Sequence, residues 1–172
     1  MSTCKIKLIE GLVSKDQSLD DLSLELFAAV GDIADAIIFK DNISHNIGCA
    51  FAIVISIRKL RLYEFSMDSR IAGITQLEDR FYNERSQVDA LAELYKQVGM
   101  WVDGGFSVSG DRADRVDNII YALMYLANCN KHKLLDCLDD YLSFSASLRG
   151  IAKTSIEFNG GLMCLSTKNH TH

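Results

Sequence analysis

One apolar stripe constrains this chain more than any other feature. Leu19, Leu22, Leu26, Val30, Ile33 and Ile37 lie at offsets of 0, 3, 7, 11, 14 and 18 residues. That recurrence is the period of an α-helix with one buried face, and no strand can present it on one side. The spacing predicts a helix over residues 18–39. Ser18 followed by Asp21 resembles a capping box with Asp in place of Glu, and Lys40 stands where a cation favours a helix C-terminus. A second stripe, Val116, Ile120, Leu123 and Ala127, predicts a helix over 111–128, broadened by Ile119, Leu126 and Tyr125. The 172 residues contain no proline, so nothing of that kind interrupts a long helix.

Between these stripes the pattern is less decided. The longest apolar run, Ile47 to Ile57, spans 11 residues and includes Ser56. Ile53, Val54, Ile55 and Ile57 are β-branched and suit a buried strand. The length of the run and the lack of turn residues favour a buried helix within 44–66. It is too short to span a bilayer, and Arg58, Lys59 and Arg61 follow it. A turn is predicted around Met67 to Gly73. Residues 74–101 read as helical, with a break near Asn83 and with Val88, Leu91, Leu94, Tyr95 and Val98 on one face. Gly104 to Gly110 reads as a loop, Asn128 to Lys131 as a turn, and 133–148 as a further helix. The expected fold is therefore all-α, a single-domain bundle of four to six helices over 1–172. The ends, 1–16 and 151–172, are expected to be irregular.

Composition narrows the function classes. Apolar residues make up 48% of the chain, enough for a sizeable core. A net charge of −5 and a pI near 5.3 argue against non-specific nucleic-acid binding, which needs a basic footprint. Five cysteines without a CxxC pair indicate neither a zinc site nor a disulfide framework. With no signal-peptide pattern at the start, a soluble cytoplasmic protein with reduced thiols is expected. His45 and His132 have no ligand spacing to a partner and read as surface or capping residues. Trp101 reads as core, with stacking on a base as the less favoured alternative. The Gly104–Gly110 loop lacks the GKS/T of a phosphate-binding loop and reads as a linker.

Two aspartate pairs carry the chemistry that can be argued. Asp32 and Asp35 are three apart on the first helix, and Asp114 and Asp117 are three apart on the later one. That spacing puts each pair on one helical face. If the two helices pack antiparallel, four carboxylates converge. Such a cluster suits Mg²⁺, which binds through carboxylates and substrate phosphates and can activate water for attack. The bland alternative is that these aspartates solvate the outer faces of amphipathic helices.

Here the residues resemble a family. Leu26-Phe-Ala-Ala-Val-Gly-Asp-Ile-Ala-Asp-Ala-Ile37 is similar to the first metal helix of MazG-like pyrophosphohydrolases, L-x-E-E-V-G-E-L-A-E-A-I. Asp114-Arg-Val-Asp-Asn-Ile-Ile-Tyr-Ala-Leu-Met-Tyr-Leu-Ala127 is similar to their second, E-L-x-D-V-L-x-Y-L-L-x-L-A. The resemblance implies a homodimeric Mg²⁺-dependent enzyme that cleaves nucleoside triphosphates to monophosphate and pyrophosphate. Its metal would be held by Asp32, Asp114 and Asp117; Asp35 or Glu25 could make up a missing carboxylate on the first helix, although neither stands at the family position. The first glutamate of the first pair is replaced by Ala29, and the connection between the motifs is longer than in a minimal member. A degenerate site, on a helical protein that dimerises or binds a partner, is the alternative. A dimer is also expected because the apolar surface of 44–66 exceeds what a thin bundle hides.

A second resemblance overlaps the first. Glu93-Leu-x-x-Gln97-x-x-x-Trp101-Val-x-Gly104, followed by Asp111-Arg-Ala-Asp-Arg-Val-Asp-Asn-Ile-Ile-Tyr-Ala-Leu123, looks like the end of a phage terminase large-subunit nuclease domain. That family implies an α/β fold and a metal-binding aspartate at Asp114 or Asp117.

Overall fold

In the computed structural model the described residues are 18–60, 76, 86–103, 111–148, 156–159 and 162–165. Five helices form the body: α1 (Leu19–Phe39), α2 (Ile43–Leu60), α3 (Gln87–Asp103), α4 (Asp111–Cys129) and α5 (Leu134–Leu148). A short antiparallel pair follows, β1 (Ile156–Asn159) and β2 (Leu162–Leu165), with Ile156 opposite Leu165. The chain is thus an all-α bundle. The hairpin replaces part of the irregular end expected over 151–172.

α1 begins where its cap predicts. The Ser18 hydroxyl accepts from the Asp21 N–H at 3.0 Å, and the Asp21 carboxylate accepts from the Ser18 N–H at 3.3 Å. Two of the four orphan donors of the first turn are thereby satisfied. The helix stops at Lys40, which adopts a left-handed conformation with φ of 59° and donates its N–H to the Ala36 carbonyl. Asp41 and Asn42 make the connection to α2, and the Asn42 side chain accepts from the Ser44 N–H at 3.1 Å.

The ambiguous apolar run is helical. α2 lies at the centre of the bundle, packing most extensively on α5 and α1 and also on α4. It buries Ile47, Ala50, Phe51, Val54, Ile55 and Ile57 completely or nearly so. A strand would need backbone partners; a helix satisfies its own backbone and can be covered all round by other helices. α2 is also the one described helix whose length and apolarity would allow a membrane crossing, and here 61% of its apolar window is buried within the bundle. The part of 44–66 that is described is covered by the chain's own helices, so it no longer argues for a dimer.

One glycine sets how closely α2 and α5 approach. A Cβ added at Gly48 would lie 1.9 Å from the Cys137 carbonyl oxygen and 2.8 Å from the Tyr141 Cβ. No L side chain fits there. The second half of the bundle is α3 packed along α4, tied at both ends. Gln87 donates to the Asn130 side chain at one end, and Arg115 donates to the Met100 carbonyl at 2.7 Å at the other. Trp101 is buried in the core, as the sequence indicates. The turn between α4 and α5 runs through Asn130 and Lys131, the latter with φ of 62°. The predicted turn near Met67–Gly73, the break near Asn83 and the Gly104–Gly110 loop lie outside the described residues.

Candidate functional site

The two aspartate pairs sit on helices that are not close neighbours. α1 and α4 both pack on α2, and among the described residues their contact with each other is slight at most. Asp32 and Asp35 are exposed on α1. The Asp32 main-chain carbonyl accepts from the Asn46 side chain of α2 at 3.0 Å. Asp114 lies in the first turn of α4, and its side chain is outside the described residues. Asp117, one turn on, is only 6% exposed.

Asp117 is held by a cation of the protein itself. Arg58, near the end of α2 and 4% exposed, donates Nη1 to the Asp117 carboxylate in a short, buried charge-assisted hydrogen bond. Two charges taken out of water are expensive separately and tolerable together. The pair also joins the central helix to α4 across 59 residues of sequence. Arg58 was missed as a site residue because it reads as the basic flank of an apolar helix. The available signal was its register: Ile47, Phe51, Ile55 and Arg58 fall on one helical face, so the guanidinium continues the buried stripe.

The remaining ligand positions fit Mg²⁺ poorly. Ala29, where the resemblance implies a carboxylate, is 4% exposed and belongs to the apolar core. Glu25 and Asp35, the nearby acids on α1, are exposed. Among the described residues no group of three or more His, Cys, Asp or Glu side chains is placed to hold a metal ion. A carboxylate already neutralised by a buried guanidinium offers little to a cation, and a buried methyl offers nothing.

A second polar cluster lies at the junction of α1, α2 and α5. Ser44 donates its hydroxyl to Asp140 at 2.5 Å. His45 is partly buried and packs its ring 4.6 Å from Phe144, edge to face, and 5.5 Å from Tyr141. It is thus a packed residue of the α2–α5 seam rather than a surface one. Among the described residues its buried Nδ1 has no hydrogen-bond partner. One turn along, burial pushes the Cys49 thiol above its ordinary pKa, and the charges of Asp32 and Glu25 add to that, against a hydrogen bond with Tyr141 that lowers it. A thiol so protected is a poor nucleophile near neutrality.

No protein-family model, no curated protein and no solved structure matches this chain.

Proposed function

We propose that this chain is a non-catalytic helical protein that dimerises or binds a partner, and that its MazG-like metal positions are degenerate. The observation that carries this reading is the buried Arg58–Asp117 pair. At the position where the resemblance implies a metal ligand, the cation is supplied by the fold. Ala29 supports the same reading, since the other expected carboxylate is a core methyl. The protein is read as soluble and cytoplasmic, with no nucleic-acid or membrane partner.

A second reading, the Mg²⁺-dependent pyrophosphohydrolase acting on a nucleotide, draws on one observation. Asp32 and Asp35 remain exposed, three residues apart, on the outer side of α1. In that reading they would act with Asp114. The experiment is a screen of common and modified NTPs and dNTPs for pyrophosphate release with Mg²⁺ or Mn²⁺. Absence of turnover is expected. Turnover that disappears in both Asp32→Asn and Asp114→Asn would establish the enzyme instead.

A further inference from the structure

Four of the eight large apolar side chains that stand exposed among the described residues lie on α1: Leu24 (68%), Phe27 (40%), Ile38 (68%) and Phe39 (70%). The other four are spread over α3 and α5. At about 100° of turn per residue, Leu24, Phe27, Gly31 and Ile38 share a strip about 60° wide. It points away from the buried stripe of Leu22, Leu26, Val30 and Ile33. The exposed Asp21, Glu25, Asp32 and Asp35 fall within about the next 100° on one side of the strip. No carboxylate borders its other side, and Asp20 stands at its N-terminal end. Lys40, at the C-cap, is the one cation on this helix or its caps. Midway along the strip a Cβ at Gly31 would meet nothing within 4 Å.

We infer that this face docks a basic amphipathic helix of a partner protein. Charge complementarity identifies the occupant. Among the described residues, Asp20, Glu25, Asp32 and Asp35 make no ion pair with a cation of the chain. A partner helix lays an apolar seam along Leu24, Phe27 and Ile38, and one of its large side chains fills the open space over Gly31. Lys or Arg on one flank of that seam then stands beside Glu25, Asp32 and Asp35, as charged flanks do in paired helices. A second copy of this face would set carboxylates against carboxylates, with Lys40 alone to offset them. The same edge repels an anionic membrane surface. Leu24 and Ile38 are 14 residues apart, so the partner helix needs about four turns to cover both. Because the carboxylates lie at the edge, they set register and speed association, while the apolar strip holds the complex. This deepens the binding reading proposed above, on which it rests, by naming the chemistry of the partner.

The test is a fluorescence-anisotropy titration of the full chain against three labelled helical peptides of about five turns. One has a leucine seam flanked by lysines, the second the same seam flanked by glutamates, and the third the first peptide's residues shuffled off the seam. The lysine peptide is expected to bind, and the other two about tenfold more weakly or worse. Rising salt should weaken the lysine complex. Two variants locate the face: Leu24→Ser with Ile38→Ser, and Glu25→Gln with Asp32→Asn and Asp35→Asn. All five positions are solvent-facing, so far-UV circular dichroism should match wild type. The first variant should speed dissociation about tenfold, and the second should slow association and flatten the salt dependence. No binding at several hundred micromolar overturns the inference, as does a shuffled peptide that binds equally well, or binding that both variants leave intact. Two other occupants would also overturn it: phosphatidylserine–phosphatidylcholine vesicles, or a homodimer in sedimentation velocity, either one lost in Leu24→Ser with Ile38→Ser. Nucleotide turnover would overturn the binding reading and leave the peptide titration standing, so the two failures are distinguishable.

Discussion

Asp35 and Asp117 come from the same local pattern and have opposite surroundings. Each is the second aspartate of a D-x-x-D pair on a long amphipathic helix. Asp35 faces water on α1, whereas Asp117 is buried between α4 and α2 and held by Arg58. Identical spacing therefore says which side chains share a face and nothing about what that face meets. The partner decides it. α1 turns its apolar stripe to α2 and its aspartates away, while α4 brings an aspartate into the same interior that α2 enters with an arginine.

The largest effect expected from this contrast is at Arg58. Arg58→Met takes the guanidinium away from a buried carboxylate and should destabilise by about 3–5 kcal/mol in urea unfolding. Replacing both members, Arg58→Met with Asp117→Leu, should recover most of that loss or exceed it. A double variant as unstable as the single would show that the loss does not come from separating the two charges.

Gly48→Ala comes next. It probes the interior side of the comparison, where α2 meets the α5 backbone, and should cost about 1–3 kcal/mol through overpacking, despite alanine's better helix propensity. An unchanged melting temperature would show that the two helices do not approach as closely as described. Ser18→Ala should cost about 1 kcal/mol by removing the α1 cap.

The smallest effects belong to the exposed pair. Asp32→Asn and Asp35→Asn should change stability by no more than about 0.5 kcal/mol. Asp32 has one finer readout, the Cys49 thiol. Because that thiol's pKa is raised in the fold, its contribution is fully present below the ordinary value of 9.0 and is lost as pH climbs through the higher folded value. Asp32→Asn should lower the thiol pKa and speed its alkylation at pH 9. No change in rate would place Asp32 farther from Cys49 than its charge effect requires.

Much of this architecture was legible in the sequence because it is local. The 3.6-residue stripes marked α1 and α4, and Ser18 with Asp21 marked the start of α1. Three things were not local and so were not legible. The β-branched run Ile53–Ile57 has no periodicity that separates a strand from a helix buried on all sides; only its neighbours α1, α4 and α5 settle it. The importance of Gly48 arises from the carbonyl of Cys137, 89 residues away. The Arg58–Asp117 pair likewise joins residues whose spacing carries no signal, although the position of Arg58 in a buried register was a clue. The antiparallel approach of the two aspartate helices was the assumption that brought four carboxylates together, and α2 is the helix that both of them pack on instead.

The most direct test of the account is the thermal melt of wild type and Asp117→Asn, each with and without millimolar Mg²⁺. If the fold supplies its own cation, Mg²⁺ produces no specific rise in wild type, and Asp117→Asn melts lower because the buried Arg58 loses its carboxylate, whether or not Mg²⁺ is present. A wild-type melting temperature that rises with Mg²⁺, together with an Asp117→Asn variant that is nearly as stable as wild type and has lost that rise, would contradict the account and restore Asp117 as a metal ligand.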